Sequence, residues 1–161
     1  MTQIYLLSGL GADRRIFDFI DLSGYDITHI EWISPLANES IGAYASRLKS
    51  QINGPSPILV GVSFGGIMAL ELSRQLKTEK VITISSARSR KEIPIIFRLL
   101  GKIGIHRILP ASILKTVTPL TYWLFGAGSV QQKEFLKKVI KSTDKKFLKW
   151  AIDKIVTWQN E

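Results

Sequence analysis

The stretch Ile58-Leu59-Val60-Gly61-Val62-Ser63-Phe64-Gly65-Gly66 decides the reading of this chain, because an apolar run, a serine between glycines and a second apolar segment follow without a break. Ile58 to Val62 has the length and side chains of a buried strand, and Ile67 to Leu76 is apolar nearly all round, as expected of a helix packed against a sheet. A chain that turns from strand to helix this sharply brings the two elements into contact. Residues two before and two after the turning point then have no room for a side chain, and glycine stands at 61 and 65, with Gly66 following. The serine between them is held in a strained conformation with its hydroxyl clear of the backbone, near helix amides and a dipole that favour negative charge. Ser63 is the candidate nucleophile and Phe64 N–H a candidate oxyanion donor. The competing reading of the same glycines is a tight turn with no chemistry.

Outward from this turn, Ile4–Ser8, Ile27–Trp32 and Val81–Ser85 read as further strands. Ser40 caps an amphipathic segment with apolar residues at 41, 44, 45, 48 and 52. Strands alternating with helices predict a three-layer α/β unit around a parallel sheet, in the order 2-1-3-4, with the site at the carboxyl ends of the strands where the order switches. After Ser86 the pattern becomes helical, with Pro94, Pro110 and Pro119 at segment starts. We expect a core over residues 1–85, a helical cap over 86–141, and a last helix in 142–161. Ser129 would cap a helix to about Lys141. Ser142 or Thr143 would cap the last one, whose stripe is Phe147, Leu148, Ala151, Ile152 and Ile155.

The second motif, Leu7-Ser8-Gly9-Leu10-Gly11-Ala12-Asp13-Arg14-Arg15-Ile16-Phe17, directly follows the first strand. A glycine-bearing loop there lets the backbone approach a reacting group, so Leu10 N–H and Phe64 N–H form the candidate oxyanion pair. An ordinary strand exit is the alternative. Gly9-Leu10-Gly11, with Glu31 about 20 residues on, also invites a dinucleotide reading. It fails because Arg14 stands where the third glycine belongs, and Asp13–Ser23 is too short for a full crossover helix.

With both motifs in this order, the chain resembles the α/β-hydrolase family, and within it small bacterial hydrolases with a G-L-G-A-D-R-R-x-F loop and a helical lid. The resemblance covers all 161 residues. It implies a serine hydrolase acting on an ester, thioester or similar acyl bond, without cofactor or metal, on a small acyl substrate under the lid. Family members more often have histidine at the position of Ser8. A larger departure is that the triad acid and histidine, which should follow Ser63 on later loops, are not supplied, so the chain reads as C-terminally truncated. His29 lies in a strand before the nucleophile and His106 among the lid-like helices, and both read as structural. The expected consequence is a serine hydrolase nearly inactive as this chain alone, the alternatives being a ligand-binding relative that cannot turn its ligand over and the product of a broken reading frame or one piece of a split protein. Val81–Ser85 would then be an open sheet edge, available to a complementing C-terminal fragment or to self-association.

Residues 1–85 hold 7 basic and 8 acidic side chains and residues 86–161 hold 15 and 5, so the net charge of +9 belongs to the second part. Its lysines alternate with apolar residues at helical spacing, which describes solvated helix faces. No nucleic-acid-binding motif accompanies the charge. Ile93–Leu114 mixes basic and apolar residues in a pattern that fits a lid or a membrane surface, and it is too interrupted to span a bilayer. Without cysteine there is no disulfide framework or thiolate metal site. The opening residues lack a secretory pattern, so a cytoplasmic location is expected.

Overall fold

A computed structural model of the chain describes residues 3–18, 20–104, 115–119, 122 and 127–160. Four strands, β1 (Gln3–Leu7), β2 (Asp26–His29), β3 (Ile58–Val62) and β4 (Lys80–Ile84), form one parallel sheet in the order β2-β1-β3-β4. The helices are α1 (Ile41–Leu48), α2 (Phe64–Ser73), α3 (Ile95–Ile103), α4 (Val130–Ser142) and α5 (Lys145–Thr157). The expected cap over 86–141 extends onto residues 105–114, 120, 121 and 123–126. These, with His106 and the end of the Ile93–Leu114 stretch, lie outside the described residues.

Strand periodicity sends alternate side chains to opposite faces of the sheet. Tyr5, Leu7 and Leu59 point to one face, where Tyr44, Ala45 and Leu48 of α1, Phe64, Met68 and Leu72 of α2, and Phe147, Trp150 and Ala151 of α5 close over them. The middle of this layer is aromatic: Trp32, Tyr44, Phe64, Phe147 and Trp150 lie with ring centroids 4.2–6.4 Å apart. The Tyr44 hydroxyl donates to Ile33 O and accepts from Ile33 N–H. Trp150 donates its indole N–H to Glu39 O, and Trp158 donates to the buried carboxylate of Glu71. Ile4, Leu6 and Val60 point to the other face, where Phe17, on a 3-10 turn over Arg14–Phe17, covers them.

Several boundaries depart from the sequence reading. The second strand stops at His29: Ile30 N–H still reaches Leu6 O, but the Gln51 carboxamide bonds both the N–H and C=O of Glu31, and the chain leaves the sheet before Trp32. The Ser40-capped helix tightens into a 3-10 turn at Lys49–Gln51. α2 starts at Phe64 and not Ile67, immediately after the turning serine, and ends at Ser73. Asp144 caps α5 by accepting from Phe147 N–H, because the Ser142 and Thr143 hydroxyls both bond back to Val139 O. α5 also buries Trp150 and Val156, which the expected stripe omitted. The Ser129 cap is a full capping box with Gln132.

Candidate active site

Ser63 is the hinge between β3 and α2, at φ 54° and ψ −119°. A non-glycine residue in this region costs about 1–3 kcal/mol and persists only where its surroundings hold it. Here they do: Ser63 N–H donates to Ile84 O at 2.9 Å, and Ser63 O accepts from Gly66 N–H at 2.9 Å and from the Ser86 hydroxyl at 2.7 Å. The side chain makes no capping bond to α2, so the hydroxyl stays uncommitted to its own helix. The glycines serve close approach. A Cβ at Gly61 would overlap the Gly65 carbonyl, one at Gly65 would overlap Leu7 O, and one at Gly66 would overlap the Ser86 side chain.

The loop after β1 lies directly on this turn. A Cβ at Gly9 would stand 3.3 Å from Ser63 Cβ, and Gly11 takes the left-handed conformation at φ 74°. Ala12 N–H closes the loop onto Gly9 O at 3.0 Å, with Leu10 at the bend. Ser8 is buried and structural: its hydroxyl donates to Ala12 O and accepts from the Trp32 indole. Leu10 N–H and Phe64 N–H take no hydrogen-bond partner among the described residues. The Asp13 carboxylate accepts from Arg15 N–H and from its guanidinium, which holds that carboxyl below the usual range. Both side chains are exposed, so the pair shapes the loop and contributes little stability.

Two cavities open against Ser63. One, of about 600 Å³, lies between the Gly9–Ala12 loop and α4; the other, of about 320 Å³, lies between α2, α3 and α5. Ser63 and Ser85 line both. Ser85 is also strained, at φ 47°, so two non-glycine residues with positive φ border the same space. Among the described residues Glu92 is the one carboxylate lining either cavity, and its oxygens take Arg88 N–H at 2.8 Å and Arg88 Nε at 3.4 Å. His29 lines neither. It sits against Phe17, facing a separate cavity lined by Ser8, Arg14 and Glu31. Among the described residues no three histidine or acidic side chains come together to hold a metal ion, and no helix is long and apolar enough to cross a membrane.

Sequence reasoning singled out Ser63, Leu10, Phe64, Gly61, Gly65 and Gly66, and the fold brings all six to one place. It missed Ser85, Ser86 and the α3, α4 and α5 side chains that wall the cavities. The one available signal was Ser85-Ser86 at the carboxyl end of a strand beside β3.

No protein-family model and no curated protein matches this sequence. Solved structures do. One of the carboxylesterases from the ammonia-oxidizing thaumarchaeon Nitrososphaera gargenis superposes with a TM-score of 0.65 at 17% identity, over 97% of this chain and 64% of its own. MenH from S. aureus gives 0.63 at 15%, over 94% and 65%. A hydrolase from Pseudomonas aeruginosa PA01 gives 0.64 at 11%, over 98% and 65%. At such identities the likeness establishes the fold, and this chain spans 64–65% of the length of those three structures.

Proposed function

We propose that this chain, which has the α/β-hydrolase fold, carries the nucleophile and oxyanion half of a serine hydrolase site for an ester, thioester or similar acyl bond. The observation that carries the reading is Ser63: a strained, multiply anchored residue at a helix N-terminus, open to two cavities. In the proposed reaction Ser63 Oγ bonds to the acyl carbon and loses its proton to a base. The carbonyl oxygen, now negative, receives Leu10 N–H and Phe64 N–H. Collapse breaks the bond to the leaving group, which takes the proton back from the base and departs as alcohol or thiol; water then adds to the acyl carbon, its proton passing through the same base to Ser63 Oγ as the acid is freed.

Among the described residues no histidine lines either cavity and Glu92 is tied to Arg88, so none of them offers the Ser63 proton a competent acceptor. The residues present support binding and oxyanion stabilisation, which alone give about 10³–10⁴-fold acceleration over water. The described site therefore holds an acyl compound and turns it over slowly. Labelling with a fluorophosphonate at high concentration, followed by peptide mass spectrometry, tests this. Ser63 should be modified well ahead of the other fourteen serines, and Ser63→Ala should abolish the label at that peptide. Modification spread evenly over serines, or unchanged total labelling in Ser63→Ala, would overturn the proposal.

A further inference from the structure

Ser63 is held from outside its own turn by the segment that follows β4. Ile84 O takes the Ser63 N–H, the chain passes through Ser85 at φ 47°, and the Ser86 hydroxyl donates to Ser63 O at 2.7 Å. Beyond Ser86 the loop over residues 87–93 bonds largely to itself: Arg88 N–H to the Glu92 carboxylate, Glu92 N–H to Ser89 O and Ile93 N–H to Arg90 O. Its other hydrogen bonds among the described residues go to residues 158–160, just past α5. Arg90 N–H donates to Asn160 O at 2.7 Å, the Arg90 guanidinium to Trp158 O at 2.9 Å, and the Asn160 carboxamide to Arg88 O.

Residues 158–160 are in turn fixed on α2. The Trp158 indole lies buried with Ile67 and Ile93 and donates to the buried Glu71 carboxylate at 2.7 Å, while Arg74 bonds both that carboxylate and the Asn160 side-chain oxygen. A buried carboxylate is tolerated only with such partners, so Glu71 dictates where Trp158 sits. The contacts close on Ser63 from two directions, since α2 starts at the residue after it and the loop bonds its carbonyl. A residue at positive φ keeps that conformation only while its surroundings hold it, and the Ser86 bond reaches Ser63 through this loop.

We propose that residues 158–160 strap the loop onto α2, and that Arg90 and Asn160 are positioning residues for Ser63, acting through the Ser86 hydroxyl. The strap stands on geometry alone, whereas its effect on reactivity rests on Ser63 being the nucleophile.

Amide hydrogen exchange, followed residue by residue by NMR, reads the strap without any chemistry. In the unsubstituted chain the Ser63, Gly66, Glu92 and Ile93 N–H groups should open together, with one dependence on urea. Arg90→Ala and Asn160→Ala, at half-buried positions, should each speed exchange at all of them about tenfold, as loss of a charge-assisted hydrogen bond does, and leave Tyr5, Leu6 and Leu7 unmoved. Ser86→Ala should do the same at Ser63 and Gly66, and adding Arg90→Ala to it should change those two no further, because both act through one bond. The limiting rate of Ser63 phosphonylation by a fluorophosphonate should fall about tenfold in these variants at a nearly unchanged half-saturating concentration. Arg90→Lys, which keeps a donor for Trp158 O, should recover most of that rate. Separate opening of the loop and Ser63 amides in the unsubstituted chain would sink the inference whether or not the variants fold. So would additive effects of Ser86→Ala and Arg90→Ala, or an unmoved labelling rate at a selectively labelled Ser63. Coupled exchange without selective labelling removes the nucleophile and leaves the strap, whereas selective labelling with uncoupled exchange removes the strap alone.

Discussion

Both faces of the sheet carry apolar strand residues, and they are quite unlike as structure. On one, Tyr5, Leu7 and Leu59 lie at 0–1% exposure under three helices and five interlocking aromatic rings. On the other, among the described residues, Ile4, Leu6 and Val60 lie under the 3-10 turn that carries Phe17 and under Leu22, and toward the β4 edge Ile82 is 41% exposed. Strand alternation specifies that both faces are to be covered but not by how much. The sealed face anchors the fold and sets the position of α2, hence of Ser63. The thinly covered face should tolerate change better than the sealed one.

The largest expected effect is on the sealed face. Trp150→Ala removes a ring 4.2 Å from Tyr44 and the indole bond to Glu39 O, and should cost about 3–5 kcal/mol in urea unfolding. Phe17→Ala, the equivalent deletion on the other face, should fall at the low end of that range, about 3 kcal/mol, because a short turn settles into the gap more readily than packed helices do. Equal costs for the two would erase the distinction between the faces.

Tyr44→Phe sharpens it by pH. The variant strands the N–H and C=O of Ile33 and should cost about 1–3 kcal/mol at neutral pH. Burial raises the Tyr44 phenol above its ordinary value of about 10, so above that pH the unfolded chain ionises this group while the folded chain does not. The native protein therefore loses stability as pH rises past about 10, and Tyr44→Phe should lose less over the same interval. The smallest effect is expected at the edge, where Ile82→Ser should stay within about 0.5 kcal/mol of the parent chain in the same titration.

What was legible in the sequence was local. Gly61 and Gly65 fix the turn at Ser63 because the constraint acts over two residues either way, and Ser40 and Ser129 cap their helices within three. Ser142 and Thr143 were as good candidates as Asp144 until the preceding helix claimed their hydroxyls. Long-range pairings left no local trace. The stripe on α5 announces a buried face but not that its Trp150 reaches Glu39, 111 residues away in sequence. For the candidate site, the turn at Ser63 and the placement of Leu10 and Phe64 follow from backbone demands, whereas the Ser86 bond to Ser63 O and the walls of the two cavities depend on where α3, α4 and α5 dock.

We propose that the Ser63 hydroxyl and the Leu10 and Phe64 amides, unpartnered among the described residues, converge on one point. A crystal structure of the chain phosphonylated on Ser63 tests it most directly. The account predicts the phosphoryl oxygen at about 2.7–3.1 Å from both Leu10 N and Phe64 N, with Ser63 still at positive φ. A phosphoryl oxygen turned to solvent, with those amides bonded elsewhere, would contradict it.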